Sequence, residues 1–264
     1  MNGQDFWKNV RIGWSLCLKS LEGRYARSAI GPLWLVLTPL SMLLLYWGVF
    51  SLVLGVKWSP KPNGEPLNYV VPFMAGLAIY LYLAEVITKS LNIFVSRRNY
   101  VRKSPLPLWV LWLSAFMAAT ITGAVNLALL VALLAVHGML TITGFIAALP
   151  VIVVIITLFG ALSLFLALIG PFAGDVANTV GVIMRVLFYT APVSFPLTLV
   201  PASVAPYLWL NPLTPLIELL RSTLVFGQFP PALPFLATAI VALGLALLAL
   251  WLNQRVAHAV RDVV

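Results

Sequence analysis

The side chains able to do chemistry in this chain are mainly cations. Arg24 and Arg27 stand at the mouth of a run that stays uncharged from Ser28 to Val56. Arg97, Arg98, Arg102 and Lys103 crowd one short connection, SRRNYVRKSPLP. Arg185 stands alone in an apolar stretch, ten residues past Asp175. Arg221 follows Glu218 by three positions, a spacing that pairs them on one helix face. Guanidinium forks make charge-assisted bonds to phosphates and carboxylates, so these residues point to anion contact rather than bond making. No catalytic constellation accompanies them. The histidines are His137 and His258, and no two acids fall at a useful spacing. Cys17 is the single cysteine, which excludes an internal disulfide and a metal cluster and reads as an inert apolar residue.

Composition decides what kind of body carries these cations. The chain is 62% hydrophobic and 9% charged over 264 residues. An ordinary soluble domain is about 25% charged. No soluble fold of this size hides so much apolar surface, so the chain reads as an integral membrane protein. The excess of 16 Lys and Arg over 7 Asp and Glu reads as orientation charge and attraction to anionic lipid, not as a nucleic-acid surface.

Residues 1–27 carry charges too frequently for a signal peptide. At helical spacing Phe6, Val10, Trp14, Cys17, Leu21 and Tyr25 share one face, and Lys8, Arg11, Ser15, Lys19 and Glu22 the opposite one. The expectation is an amphipathic interfacial helix ending near Gly23, apolar face to lipid and basic face to head groups or a partner.

A bilayer core needs about 20 apolar residues per helix. The first such run covers 33–56, entered through Gly31 and Pro32. Proline suits a first helical turn, where its missing N–H would be unpaired anyway. A polar loop fills 57–68, and a second span covers 69–95 with Glu85 and Lys89 near its far end. The uncharged run 104–174 fits two spans joined around 137–144, closed by Asp175. A fifth span covers 177–195 and a sixth 233–252. Six spans put both termini on one side. Lys8, Arg11, Lys19, Arg24, Arg27, Lys89, Arg97, Arg98, Arg102, Lys103, Arg255 and Arg261 share that side, against Lys57, Lys61 and Arg221 on the other. The positive-inside rule makes it cytoplasmic.

Residues 196–234 fit neither loop nor span: they hold eight of the 19 prolines yet stay mostly apolar. Thr214-Pro215 suggests an N-cap with proline at the first helical position, opening a helix over 215–226 too short to cross. A second short helix is expected over 202–210. The segment reads as helices re-entering from the outer side, against an external loop with a surface helix as the alternative. The whole is thus an all-α single transmembrane domain over 1–264: interfacial helix 1–27, spans one to five within 33–195, outer gate segment 196–232, span six 233–252 and tail 253–264.

The stretches RYARSAIGPLWLVLTPL and LNPLTPLIELLRSTLVFG, behind an interfacial helix, resemble the permease subunit of bacterial ABC exporters of lipid-linked polysaccharide, the family of O-antigen, capsule and teichoic acid exporters. The resemblance rests on Arg24, Tyr25, Ser28, Gly31, Pro32, Leu33, Trp34 and Pro39, and on Asn211, Pro212, Leu213 and Arg221. It covers nearly the whole chain. One departure is AGDV, where relatives often show an Arg-Asp pair; Gly174 stands before Asp175, so that arginine's role does not transfer.

The resemblance implies a channel subunit for an undecaprenyl-diphosphate-linked polysaccharide, O-antigen first, in the bacterial inner membrane. It implies a homodimer and two copies of a cytoplasmic ATPase that supplies ATP and Mg. The sequence has no Gly-Lys dipeptide, hence no phosphate-binding loop and no cofactor or nucleotide of its own. Nucleic acid is not an expected partner. Arg24 and Arg27 would contact lipid or substrate phosphates, or merely snorkel and anchor topology. Arg97, Arg98, Arg102 and Lys103 would dock the ATPase, or serve only as a positive-inside loop. Tyr69, Phe73 and Tyr80 share a face with Gly76, and Trp109, Trp112 and Phe116 share another. Phe73 and Tyr80 are the candidates to line the channel, against belt or core packing. Arg185 would pair with Glu85 or meet the substrate diphosphate. Asn211, Pro212, Glu218 and Arg221 would form the outer gate. The rivals are a membrane-embedded enzyme, which lacks its acids and histidines; a secondary transporter, which would want more buried charge and a repeat; and a drug- or lipid-exporting permease of the same superfamily.

Overall fold

The computed structural model describes residues 3–26, 28–56, 58, 69–104 and 106–264. Among these the regular structure is entirely helical. Helix α1 covers Gly3–Tyr25, and α2 covers Trp34–Trp47 between a 3-10 turn at Gly31–Leu33 and a π turn at Gly48–Val53. Next come α3 (Val70–Leu91), the short α4 (Ile93–Ser96) and α5 (Arg98–Lys103), α6 (Leu108–Val136) and α7 (Ile142–Ile169). Helix α8 (Gly174–Thr190), short α9 (Ala205–Leu208), α10 (Leu213–Leu220) and α11 (Ala232–Val263) complete the chain. Five helical stretches are long and apolar enough to cross a bilayer: Gly31–Val53, Val70–Leu91, Leu108–Val136, Ile142–Phe172 and Ala232–Val263.

The order of elements follows the sequence closely, with instructive shifts. Helix α1 ends at Tyr25, two residues past Gly23 and close to the expected end. The break falls at Gly31, whose φ of 59° is the left-handed region that favours glycine. Helix α8 has 17 residues and stops at Thr190, short of the expected 195. The residues after it, Ala191 and Val193, are buried and turn inward. Lys57, Lys61 and Arg27 lie outside the described residues.

Helix α3 is the hub. It packs against α2, α6, α7, α8 and α10, while α11 lies along α7 and α1 along α6. Small residues permit these approaches. A Cβ at Gly123 would come within 2.7 Å of the Tyr82 ring, and one at Gly160 within 3.1 Å of Phe116. At Gly170 it would collide with the Leu91 carbonyl oxygen, so the glycine lets the C-terminal ends of α3 and α7 close together. Two buried serines pair in this core: the Ser90 and Ser163 hydroxyls lie 2.7 Å apart, and Trp112 Nε1 donates to Ser163 at 3.0 Å. Trp112 is therefore a core residue, and Trp109 stacks on Phe6 of α1 at 5.6 Å.

The expected lipid-facing side of α1 needs correction. Gly13, Leu16 and Cys17 are buried, and Gly13 sits against Val110 of α6. Phe6, Trp7, Trp14 and Leu18 stay exposed. The helix is split three ways: a flank near Cys17 on protein, tryptophans outward, cations opposite.

Candidate functional site

At the end of the bundle where α3 stops, Arg24 reaches from the last turn of α1 to Glu85 of α3. Nη1 donates to Oε1 at 2.6 Å and Nη2 to Oε2 at 3.1 Å, a two-pronged pair. Lys89 Nζ lies 3.3 Å from the same carboxylate. Glu85 is 9% exposed, whereas the Arg24 side chain keeps 44% exposure, so the carboxylate is inside and the guanidinium is at the rim. The expected Glu85–Arg185 pair does not form. Glu85 lies about 9 Å from the C-terminal end of α3, while Arg185 lies about 16 Å up α8 from Gly174, at 1.5 Å per residue. Arg24, in the last turn of α1, takes the carboxylate instead.

The basic connection after α3 is built as two short helices rather than a loop. Ile93, Phe94 and Val101 are buried and act as anchors. Arg98, Arg102 and Lys103 point away from them and are exposed; Arg97 lies 5.9 Å from the Tyr100 ring. The arrangement presents a cationic surface on a rigid footing.

On α8, Arg185 is exposed, and its Nε bonds the Gly181 carbonyl of its own helix at 3.0 Å. Tyr189, 65% exposed, follows one turn on. The Tyr189 ring lies edge-on to Phe188 with centres 5.3 Å apart. Phe188 meets Tyr80 edge-on at 4.8 Å and Tyr46 at 5.1 Å. Arg185, Tyr189, Tyr80 and Tyr46 form a polar-aromatic stripe at the chain's surface. Phe73, expected beside Tyr80, is fully buried and stacked on Tyr69 at 5.6 Å. A ring wrapped on all sides by its own chain cannot line a channel in this conformation, so Phe73 is a core residue.

At the opposite end of the bundle, α10 packs among α3, α7 and α11. Its start is set by Asn211, not by the expected Thr214 cap. Asn211 Oδ1 accepts from Leu213 N at 2.9 Å, and Nδ2 donates to the Leu187 carbonyl and to Thr190 Oγ1, both at 2.8 Å. One amide thereby ties the end of α8 to the start of α10. Thr214 Oγ1 instead donates to the Leu208 carbonyl at 2.6 Å. Pro212, between Asn211 and Leu213, directly precedes α10.

Arg221, one turn past Glu218, is 0% exposed. Nη1 donates to Glu218 Oε1 at 2.8 Å, as the spacing predicts. Nε donates to the Pro72 carbonyl and Nη2 to the Val193 carbonyl, each at 2.9 Å. The guanidinium also lies 4.4 Å from the centre of the Trp58 ring. A buried arginine persists only when its donors are occupied, and three segments supply the acceptors here. Gly76 makes room: a Cβ there would meet Nη2 and Val193 Cα at 3.0 Å.

Two further positions escaped the sequence reading. The Arg24–Glu85 contact joins residues 61 apart, which spacing rules do not reach. Asn126 of α6 is 1% exposed, with neither Oδ1 nor Nδ2 bonded. A lone amide in a long uncharged run was its only signal. Among the described residues no cluster of His, Cys, Asp and Glu is arranged to hold a metal.

The chain as a whole is similar in sequence to known proteins. Residues 13–225 match the ABC-2 type transporter family. An O-antigen export system permease protein, RfbA, of Klebsiella pneumoniae is 26% identical over 235 residues, covering 87% of each chain. RfbA of Myxococcus xanthus is 26% identical over 88% of this chain and 86% of its own. The polysialic acid transport protein KpsM of Escherichia coli is 21% identical over 81% of both. With the family match spanning most of its length, from α1 through the turn after α10, this multi-pass membrane chain belongs to the ABC-2 type transporter family.

Proposed function

We propose that this chain is the permease subunit of an ATP-driven exporter that moves an undecaprenyl-diphosphate-linked polysaccharide, O-antigen in the first instance, across the bacterial inner membrane. It acts as a homodimer with two copies of a cytoplasmic ATPase that binds ATP and Mg. The supporting observation is the stripe on α8. An exposed guanidinium on an apolar helix is costly against lipid and cheap against water. A second copy facing Arg185, Tyr189 and Tyr80 would enclose a wet, aromatic-lined path on which sugar C–H faces can stack. A cavity of about 650 Å³ between α3, α7, α10 and α11 is lined almost wholly by apolar side chains and suits no hydrated glycan.

In this reading α8 is the fifth of six spans, since 17 residues meet the lower limit of about 17–25 for a crossing. Helices α9 and α10 re-enter from outside, and both termini are cytoplasmic. Arg185 meets substrate phosphate inside the path, and Arg24 and Arg27 meet it at the inner rim. Asn211, Pro212, Glu218 and Arg221 hold the outer gate. Force from the ATPase enters through α1 and the cations Arg97, Arg98, Arg102 and Lys103. A capsular substrate is the second reading, favoured by the KpsM relatives.

The test is reconstitution with the co-expressed ATPase in liposomes holding lipid-linked O-polysaccharide. Glycan should become accessible to an enclosed glycosidase only when ATP is present. Transfer without nucleotide or without the ATPase would end this reading.

A further inference from the structure

Between α2, α3 and α6 lies a second cavity, of about 570 Å³, a size that holds small ligands. Its composition differs from that of the apolar cavity near α10. Arg24, Glu85, Trp34, Thr88, Thr122 and Asn126 all contribute to its wall. Asn126 lines it while 1% exposed, and both polar atoms of its carboxamide lack partners. A buried amide is almost always satisfied by protein or by something bound beside it. Among the described residues no group satisfies this one.

The cavity has a charged end and an uncharged polar end. Tyr82 bonds Thr120 at 2.9 Å and packs on Gly123. Glu85 therefore lies about one turn inward of that level and Asn126 about one turn outward, roughly 9 Å apart along the helices at 1.5 Å per residue. At the inner end two cations, Arg24 and Lys89, share the single carboxylate of Glu85. The local balance favours an added anion. At the outer end the carboxamide offers a donor and an acceptor side by side, matching a vicinal diol, and Thr122 adds a hydroxyl.

We propose that this cavity binds a phosphate-linked polyol: the phosphate rests at the Arg24 end and the glycerol or sugar hydroxyls bond Asn126. Arg24 stays on Glu85 and contributes through its positive field. The Trp34 indole is held by its Nε1 bond to Ser28 at 3.0 Å and walls the rim. Two sources carry this chemistry, a glycerophospholipid head group and a lipid-linked sugar diphosphate. The site is separate from the α8 stripe; its phosphate end rests on the phosphate contact proposed above for Arg24, and its occupancy does not require transport.

Native mass spectrometry of the purified full-length chain tests it, with four probes: phosphatidylglycerol, phosphatidylethanolamine, a polyprenyl-diphosphate-linked disaccharide and soluble glycerol 3-phosphate. Phosphatidylethanolamine carries the phosphate without the diol. Retention of phosphatidylglycerol or of the linked disaccharide should exceed it by about tenfold, the scale of one satisfied buried amide. Whichever is preferred identifies the source; preference for glycerol 3-phosphate alone would assign a soluble ligand. Asn126→Leu removes the unpaired amide without leaving a void, so melting should be unchanged or higher while the preference disappears. If that variant does not fold, Thr122→Val carries the same test, because its hydroxyl bonds only its own helix at Ala118. Equal retention of all four probes, or a preference untouched in the folded variant, overturns the proposal. Neither result bears on the ATP-driven transfer assay, so the two readings fail independently.

Discussion

Replacing Arg221 with alanine should be the most damaging single truncation in the outer segment. The side chain is fully buried and gives charge-assisted bonds to the Pro72 and Val193 carbonyls, each at 2.9 Å. Such bonds contribute about 1.5–3 kcal/mol apiece, and a desolvated cation–π contact with Trp58 about 2 kcal/mol more. These do not simply add, because the arginine's own burial is costly in the folded state. Breaking a buried pair by removing one partner costs about 3–5 kcal/mol. The Glu218 side chain is 29% exposed and can rehydrate, which places the loss at about 3–4 kcal/mol, toward the lower part of that range. Arg221→Lys keeps the charge but cannot point donors three ways, so about half the loss should remain. Reversible unfolding in mixed micelles, followed by tryptophan fluorescence, measures both. Arg185→Ala is the control: it is exposed and bonds only its own helix, so it should stay within about 0.5 kcal/mol. If Arg221→Ala and Arg185→Ala proved equally mild, Arg221 would not be the tie between α3, the Val193 turn and α10.

Reversing charge at Arg97, Arg98, Arg102 and Lys103 should abolish stimulated ATP hydrolysis by the partner while helicity stays intact; normal stimulation would remove the docking role. Gly170→Ala forces a Cβ into the Leu91 carbonyl oxygen, and since backbone cannot yield as a side chain does, a loss of about 3 kcal/mol is expected in the same unfolding assay. Burial pushes the Cys17 thiol up from its ordinary value, with the Lys89 charge opposing. The thiolate fraction at neutral pH is then below that of a free cysteine, so maleimide labelling should be slow in the folded chain and reach the free-thiol rate only on unfolding. Rapid labelling at neutral pH would place Cys17 in solvent and not against α6.

Local rules made the helices legible. Uncharged runs of membrane length set the spans, and Gly31 with Pro32 marked the join before α2. The spacing of Glu218 and Arg221 foretold their pair, because three residues along a helix is one turn whatever surrounds it. The same rules failed where partners come from different helices. Glu85 chose Arg24 over Arg185, a matter of depth in the assembled bundle. Phe73 and Tyr80 share a face of α3, yet one is core and the other borders the surface stripe, because α2 and α8 cover only part of that face.

The amino-acid sequence by itself determined that this is a helical membrane protein, where its spans begin and which connections carry its cations, since transfer of each side chain from water to lipid is a property of that residue. Only the tertiary structure decided which of those cations are spent on the protein's own acceptors and which remain available, and that Asn126 faces a cavity with its amide unmet. Those outcomes depend on which helices approach within hydrogen-bonding distance, a choice made by packing across the whole bundle rather than by neighbours in the chain.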